Sequence, residues 1–440
     1  MAKTGFFKRI LGDTRGSTLM IAAASLPVVI GSAGLATDTI QWTLWKRQLQ
    51  RAADSAAIAG VYQRMKTDTQ AQVEAAVTND LEINDHTGII RLSEDTDLLA
   101  DAGDMQDRVR VNLQIQKELP FSSIFMAAPP IITAIGTAAS VPGTDEYCVI
   151  SLEPTAIRTG ITIGGNTKIS MNCGMISNSP AANSALSNGN SSSVTATVIA
   201  AVGGVQASSR WNVAKYDPYV SAVEDPYASI NPTAPEMSNC ANNPPALTDA
   251  TPNAETLAGG CFSSINVASG RPLTLGSGTY YITGHNANTA GNVVIHGTLT
   301  CDGCTIVLTN KNMSTTAKIG NFDMQAQSTL DISAPTGTTD KYRGIAVFQD
   351  RRATDGNGAN NSNRFNGGGA QVVEGALYFP SQQVTYNGNG TATATCTRFV
   401  SRRIIFSGNS AVENKFERGA NCAGSGLDPI GGGRRVRLVA

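Results

Sequence analysis

Charge and histidine are scarce in this chain of 440 residues. Only 15% of the residues are charged, 6% are aromatic and three are histidine. The 33 basic residues balance 34 acidic ones, which leaves a formal net charge of -1 and no basic field for nucleic acid. Disorder is disfavoured, because disordered chains carry more charge and fewer branched aliphatic residues. The length suffices for two or three domains.

Charge is absent altogether from residues 16–37. These roughly 22 positions would form a helix of about 33 Å, and a bilayer core of about 30 Å requires around 20 apolar residues. The apolar core of a secretory signal is usually shorter, about 7–15 residues. Pro27 would kink such a helix rather than end it, since transmembrane helices tolerate proline. The segment is therefore predicted to be a transmembrane anchor.

A basic leader, residues 1–15, precedes the anchor. Its only acid is Asp13, and its basic residues are Lys3, Lys8, Arg9 and Arg15. This bias predicts a cytoplasmic N-terminus and a remainder that lies in the periplasm or at the cell surface. The triplet Gly34-Leu35-Ala36 has the small-x-small pattern of a signal-peptidase site, so a cleaved signal is the alternative.

The stretch that follows residue 37 is charged and rich in alanine, and it is predicted to continue the helix. Apolar residues recur on one face at alternating steps of three and four. This helix packing seam consists of Trp42, Trp45, Leu49, Ala52, Ala56 and Ala59. Alanine makes the seam thin, so that a sheet or another helix can approach closely. Packing on the chain's own small domain and packing against neighbouring subunits are both open.

The order of these features resembles the N-terminus of TadE/TadG-like proteins of the Tad (Flp) pilus-assembly system. Shared features are the leader, Arg-Gly, an apolar run with an internal proline, Asp38, an aromatic residue, Lys-Arg, Leu-Gln and Ala-Ala-Asp-Ser-Ala-Ala. The resemblance covers about the first 65 residues. It implies a non-catalytic, single-pass protein of the bacterial inner membrane, with Tad/Flp pilus-assembly proteins as partners and a role in assembly, secretion or surface attachment.

One departure separates the chain from pilins. Pilins are cut after a glycine and usually carry glutamate at the fifth mature position, whereas cutting after Gly16 would place Ile21 there. The chain is therefore predicted to be an anchored assembly protein rather than a pilin.

Residues 38–141 are predicted to form a pilin-like module, in which the helix packs on a small sheet. Residues 69–85 are helical in their first part. A half-buried strand is indicated by the alternation of Val109, Val111, Leu113 and Ile115 with polar residues. A second strand is indicated by Ile131, Thr133, Ile135 and Thr137, which recur at every second position.

Residues 147–440 contain short strands rich in isoleucine and valine, separated by glycine and asparagine. The strands return loosely at about 20–25 residues, which is typical of a solenoid. The predicted fold is a right-handed parallel β-helix, with a β-sandwich as the alternative, so the fold class is α+β followed by all-β. Residues 216–253 contain two Asp-Pro-Tyr sequences and several prolines, and are predicted to be a long surface excursion.

All eight cysteines lie in this β-rich domain. They are Cys148, Cys173, Cys240, Cys261, Cys301, Cys304, Cys396 and Cys422. An oxidising compartment favours four disulfides, and among 105 possible pairings the sequential one suits coils of this length. Zinc at Cys301 and Cys304 would require a second such pair, which is absent, or nearby histidines, for which His285 and His296 are the candidates in the sequence. A redox site would require a helix after the first cysteine, so a structural disulfide is favoured. No metal site and no cofactor is predicted.

Catalysis is considered because many β-helices cleave polysaccharides. Glycan hydrolysis needs two carboxylates that flank one bond. The acids in question form no tight pair in the sequence: Asp323, Asp331, Asp340, Asp350 and Asp355. No Ser-His-Asp arrangement is present either, so no catalytic residue is predicted. The alternative function is a membrane-anchored β-helix that binds or cleaves surface glycans.

Overall fold

The computed structural model describes residues 17–84, 91–143, 145–355, 363–367, 371–388, 391–394, 396–409, 411–417, 422–428, 430 and 432–439. The predicted leader, residues 1–15, and Gly16 lie outside the described residues. The chain divides into two compact units: Met1–Val141 with Arg435–Ala440, and Pro142–Arg434. The last residues of the chain, which the sequence assigned to the β-rich domain, therefore belong to the first unit.

The first unit is built on one long helix. α1 (Ser17–Arg64) has 48 residues and continues through Pro27, which corresponds to a length of about 72 Å. The apolar run and the alanine-rich stretch are thus a single element, as predicted. At its C-terminal end, Arg64 donates hydrogen bonds to the carbonyl oxygens of Leu99 and Arg108 at 2.8 and 2.7 Å. These bonds fix the end of the helix against the strands.

A second helix and a four-stranded sheet complete this unit. The second helix is α2 (Gln70–Ile83), and the strands are β1 (Arg91–Leu98), β2 (Gln106–Gln116), β3 (Ile131–Gly143) and β27 (Gly432–Leu438). The strand order is β1-β2-β3-β27, and β2 pairs antiparallel with both β1 and β3. The sequence predicted β2 and β3 but neither outer strand. In the sequence, the second unit therefore lies between β3 and β27, which are neighbours in this sheet.

The core of the first unit lies between α1 and the sheet. On β2 the buried residues are those of the predicted alternation, Val109, Val111, Leu113 and Ile115. On β3 the core-facing residues are Ile132, Ala134, Gly136 and Ala138. A Cβ atom on Gly136 would lie 2.4 Å from the carbonyl oxygen of Ala53, so the helix backbone comes very close at this position. Ile131 and Ile135 alternate with the core residues and are on the exposed face.

The second unit is rich in short strands, and its described strand pairs are parallel. In its first part the strands are β4 (Tyr147–Ser151), β5 (Ile161–Ile163), β6 (Lys168–Met171), β7 (Gly174–Ser177), β8 (Ala185–Ser187), β9 (Ser193–Ala201), β10 (Trp211–Pro218), β11 (Ala246–Thr248), β12 (Gly259–Phe262), β13 (Ser264–Val267), β14 (Pro272–Leu275) and β15 (Gly278–Gly284). They are followed by β16 (Val293–Ile295), β17 (Thr298–Cys301), β18 (Cys304–Asn310), β19 (Phe322–Met324), β20 (Thr329–Ser333), β21 (Ile345–Gln349), β22 (Asn363–Gly367), β23 (Gln371–Gly388), β24 (Thr391–Ala394), β25 (Thr397–Phe406) and β26 (Ala411–Asn414). A short helix, α3 (Ala234–Ser238), lies between β10 and β11.

From β12 to β20 the strands recur in sets of three, and each pairs with the strand three places later. Leu299 of β17 is in register with Leu330 of β20. Buried rings also stack, with centroid distances of 4.9 Å for Phe322 and Phe365 and 6.0 Å for Phe365 and Tyr386. Similar residues therefore lie on one another, which buries a narrow continuous core.

The pairing does not follow chain order throughout. The first strands of the unit, β4 to β6, pair with β25 and β26 near the C-terminus. Val149 of β4 is in register with Phe399 of β25. β10 pairs with β9, whereas the next strand, β11, pairs with β13. Residues 219–245, here called the strap, connect these two strands.

The strap lies within the segment predicted to be a surface excursion, residues 216–253, and it is anchored on the strands at several positions. Asp225 accepts a hydrogen bond from the Tyr378 hydroxyl at 2.7 Å and forms a salt bridge with Arg351 at 3.1 Å. Glu236 forms a salt bridge with Lys341 at 2.6 Å. The buried side chains of the strap are Val220, Val223, Tyr227, Met237 and Cys240. These contacts tie the strap to residues near β21 and to β23.

Candidate functional site

The first half of α1 has an apolar surface that is almost entirely uncovered. From Met20 to Ile40 every residue is exposed except Gly34 and Asp38. The large apolar side chains on this surface are Met20, Ile21, Leu26, Val28, Val29, Ile30, Leu35 and Ile40. Within the described residues, α1 is the one helix that is long and apolar enough to cross a membrane. Such a surface suits lipid rather than water.

Asp38 is buried because a loop folds over it. Its side-chain oxygens accept hydrogen bonds from the backbone amides of Phe121 and Ser122, at 3.1 and 2.5 Å, and from the Ser122 hydroxyl. These amides open a short 3₁₀ turn, Ser122–Ile124, where backbone donors have no partner within the turn. Asp38 acts as a cap supplied by another element, and it holds residues 119–126 (the 119–126 loop) against α1.

Gly34 lies one helical turn before Asp38 on the same face. A Cβ atom at this position would lie 2.2 Å from Cγ of the Phe121 ring, so only glycine leaves room for that ring. Sequence reasoning placed Gly34 in a peptidase pattern and gave Asp38 no role. The available signal was a lone acid that directly follows an uncharged run.

The predicted packing seam is divided by the structure. Leu49 and Ala56 are buried in the core, Trp45 and Ala52 pack partly buried against it, Ala59 is half-buried and Trp42 is exposed. The buried face of α1 is turned slightly from the predicted one and consists of Leu49, Ala53, Ala56, Ala57, Gly60 and Val61. Ala56 is buried in the core of its own unit. The small alanine side chains therefore allow α1 to approach its own sheet closely.

The cysteines meet in the sequential pairing expected. The Cα–Cα distances are 5.8 Å for Cys148–Cys173, 5.4 Å for Cys240–Cys261, 6.0 Å for Cys301–Cys304 and 5.4 Å for Cys396–Cys422. All four are compatible with disulfides. Cys301 ends β17 and Cys304 begins β18, with Gly303 at a φ of 67° in the turn between them. No group of three potential metal-binding side chains occurs among the described residues.

The five acids considered for catalysis are dispersed. Asp323 of β19 is in register with Arg364 of β22, and the two side chains form bonds of 3.1 and 2.7 Å. Asp350 pairs with Arg352 at 2.7 Å, and Asp355 pairs with an arginine described below. Asp331 and Asp340 are exposed. Three of the five thus serve ion pairs that link strands and turns.

A buried ion-pair cluster lies where the ends of the second unit meet. Glu153, just after β4, accepts hydrogen bonds from Arg402 and Arg403 of β25, the former at 3.1 Å. Arg403 also contacts Asp355. Burial alone would raise the pKa of Glu153, but the hydrogen bonds from Thr155 and from the two arginines together lower it. The carboxylate is held ionised between strands that are distant in sequence.

Together these features define a class of protein: an apolar helix of membrane-spanning length that continues into a small α+β unit, with a large strand-rich unit inserted in the sequence between two strands of that unit. Residues 16–71 match a family model described as "Putative Flp pilus-assembly TadE/G-like". The resemblance to TadE/TadG-like proteins is confirmed over those residues, which include the uncovered surface and Asp38. Neither the curated proteins nor the solved structures contain a match to the chain.

Proposed function

We propose that the chain is a membrane-anchored, non-catalytic component of a Tad/Flp pilus-assembly or secretion apparatus. The observation that carries this proposal is the coincidence of two features over the same residues. The uncovered apolar surface of α1, from Met20 to Ile40, lies inside the segment that matches the pilus-assembly family. Its partners would be other Tad/Flp assembly proteins of the bacterial inner membrane.

The proposed topology follows from the charges around the anchor. The basic leader stays in the cytoplasm, residues 16–37 span the inner membrane once, and everything after Asp38 lies in the periplasm or at the cell surface. The eight cysteines would then lie in an oxidising compartment, which is consistent with their distances in four pairs.

The second unit is proposed to be a right-handed parallel β-helix that contributes to assembly, attachment or partner binding. Parallel pairing in sets of three and stacked rings such as Phe322 and Phe365 support this fold. Such stacks present long regular faces that suit a binding surface. Charged residues of the strap tie several strand sets together, so these faces would be held rigid.

Neighbouring subunits would contact the part of α1 that its own unit leaves free. Leu44 and Arg47 are exposed on the stretch just beyond the anchor. The double substitution Ala52→Leu with Ala56→Leu, which the seam alone would suggest, does not isolate this contact, because Ala56 is buried in its own core. Leu44→Glu with Arg47→Glu alters the exposed face and leaves the core intact.

The test uses a bacterium that assembles Tad-type pili and lacks this chain. Restoring the wild-type chain should restore surface pili and attachment, whereas the Leu44→Glu, Arg47→Glu variant should insert into the membrane and fail to restore them. Gln48→Glu serves as the control for a single exposed charge on the same turns. Normal piliation without any copy of the chain would overturn the proposal, and cleavage of cell-surface polysaccharide by the purified chain would favour the glycan-active alternative.

The role of the second unit requires a deletion that keeps the sheet whole. Since β27 lies beside β3 in the first unit, removal of residues 147–440 would also remove a strand. Replacing residues 144–431 by about ten glycine and serine residues leaves β3 and β27 whole. A linker of this length spans about 17 Å, more than the roughly 5 Å between neighbouring strands. This variant should insert normally and attach poorly. Full attachment would make the second unit dispensable.

A further inference from the structure

We propose that the 119–126 loop is a second membrane contact, inserted into the outer leaflet beside α1. The proposal rests on the anchoring role of α1 argued above and adds a lipid-binding surface to it. The loop ends in three consecutive apolar side chains that point away from the protein. Ile124 is 70% exposed, Phe125 84% and Met126 47%.

The depth of the loop follows from its contacts with the anchor. Phe121 packs on Gly34, one turn inside the uncharged segment that ends at Thr37. The three residues from Gly34 to Thr37 correspond to about 4.5 Å along the helix, so the Phe121 ring lies below the outer boundary of the apolar span. The exposed side chains follow within five positions of this ring. They therefore lie close to the same boundary.

A marker of the water side lies farther along α1. The Lys117 ammonium group lies over the Trp45 ring, 5.1 Å from its centroid. Trp45 is seven residues beyond Asp38, about 10 Å along the helix. Tryptophan and lysine are typical of the headgroup region. The loop lies between this pair and the apolar span, which is the position of the membrane interface.

The backbone of the loop is prepared for an apolar environment, where every unpaired polar group is costly. All six amides from Phe121 to Met126 have partners. The first two donate to Asp38, and the next four donate to carbonyl oxygens of Leu119, Phe121 and Ser122. The Ser122 hydroxyl also donates to Asp38. A loop that simply faced water would not need such complete pairing.

The chemistry of the surrounding sequence fits the same conclusion. No charged residue occurs from Leu119 to Gly143, so insertion of the loop desolvates no side-chain charge other than Asp38, which the loop itself covers. Continuity with the exposed apolar face of α1 identifies the occupant as lipid. A neighbouring protein helix on the same surface is the competing occupant, and it is absent when the chain alone is placed in vesicles.

The experiment measures the depth of spin labels in the full chain, reconstituted into vesicles of phosphatidylcholine and phosphatidylglycerol. Labels are attached to Phe125→Cys, to Leu26→Cys within the span, and to Ile83→Cys, which is 65% exposed. Ile83 is the water-side control, because the nearby Asp80 bonds Ser55, about 25 Å beyond Asp38 along α1. Unsubstituted chain gives the labelling background. Accessibility to oxygen and to a water-soluble nickel complex is compared by power saturation.

The Phe125 label should gain oxygen accessibility and lose nickel accessibility, approaching the values of the Leu26 label, while the Ile83 label stays open to nickel. A label at Met126→Cys should behave in the same way, which guards against distortion at one site. Values at Phe125 and Met126 equal to those of Ile83 would overturn the loop insertion and leave the anchor intact. Nickel accessibility at Leu26 would overturn the anchor, and the proposed function with it.

Discussion

The carboxylate of Asp38 and the backbone amide of Ser122 are 2.5 Å apart and are separated by 84 positions in the sequence. This bond joins the end of the uncharged part of α1 to the loop that follows β2. Asp38 is only 2% exposed, so the acid that ends the apolar run is used inside the first unit. The position at which the helix leaves the apolar span is thereby tied to the position of the sheet.

Removing the acid should release the loop. In Asp38→Ala the amides of Phe121 and Ser122 lose their acceptor, and we expect their hydrogen exchange to become faster, since exchange reports local opening. The amides of β2 provide the internal control, because they pair with β1 and β3. Ser122→Ala removes only the hydroxyl bond and should have a smaller effect. Unchanged exchange in Asp38→Ala would show that the loop is held by Phe121 and Gly34 instead.

Gly136 controls how closely the sheet approaches α1. Its substitution by alanine would force a Cβ atom against the carbonyl group of Ala53, and overpacking of this kind costs about 1–3 kcal/mol. We expect Gly136→Ala to lower the melting temperature of the first unit in nanodiscs. Gly31→Ala is the matched control, because nothing lies within 4 Å of that position. Equal melting temperatures for the two variants would contradict the close contact.

Local patterns in the sequence predicted much of the first unit, because each of these features depends on residues that are close together in the sequence. The uncharged run predicted a long apolar helix, and the alternation from Val109 to Ile115 predicted the buried face of β2. The seam was less accurate, because alanine recurs so often between Ala52 and Ala59 that neighbouring faces of the helix look alike. On β3 the periodicity of Ile131, Thr133, Ile135 and Thr137 predicted the strand but not which of its faces lies toward α1; the core contains the alternate residues Ile132, Ala134 and Ala138.

Long-range pairing was beyond sequence patterns. Nothing in residues 432–438 indicates that they join a sheet whose other strands lie some 300 positions earlier. The solenoid spacing predicted parallel stacking but not that β4 would pair with β25. The prolines predict a surface segment but give no sign of its contacts, because the partners of Asp225 are Tyr378 and Arg351, which lie far along the chain.

Glu153 should make the stability of the second unit depend on pH. Its pKa is lowered from the ordinary value of 4.5 on folding, so its contribution to the free energy of unfolding is complete above about pH 4.5. That contribution is lost as the pH falls through the lower pKa of the folded state. Glu153→Gln should lower the free energy of unfolding by about 3 kcal/mol at pH 7 and weaken its dependence on acid. Denaturant unfolding at pH 7 and at a pH below 4.5 measures both effects.

The control for this substitution is an exposed pair. Asp428 is paired with Arg343 and is largely exposed, so Asp428→Asn should cost no more than about 1 kcal/mol. A similar small loss in Glu153→Gln would show that Arg402 and Arg403 are solvated in the protein. The junction between β4 and β25 would then depend on backbone pairing alone.

Four disulfides should be found in the protein purified without reductant. Thiol titration under denaturing conditions should detect almost no free thiol, and two or more free thiols would contradict the pairing. The pair Cys240–Cys261, with a sequence separation of 21, closes the strap onto β12. Replacing both by alanine should cost about 3 kcal/mol and expose Glu236 to a glutamate-specific protease. Continued resistance of the strap would show that its salt bridges suffice.

The last prediction concerns the N-terminus of the mature chain. Intact-mass analysis of protein extracted from membranes should give a chain that still contains residues 16–37. α1 continues without a break through the peptidase-like triplet, and the Thr37 hydroxyl donates to the carbonyl oxygen of Ala33 at 2.9 Å. Cleavage after Ala36 would remove Gly34 and leave the Phe121 ring without its packing surface. Folding of the first unit therefore favours retention of the segment.

Two other masses would each carry a definite meaning. A chain that begins at Thr37 would show a cleaved signal and would eliminate the anchor, whereas one that begins at Ser17 would restore the pilin interpretation despite Ile21. Ala36→Leu removes the small-x-small pattern and is the matched control, because Ala36 is exposed on α1. The variant should differ from the wild-type chain only by the mass of the substitution. A longer product in this variant alone would prove that the triplet is cut, and Gly34 would then act only in the precursor.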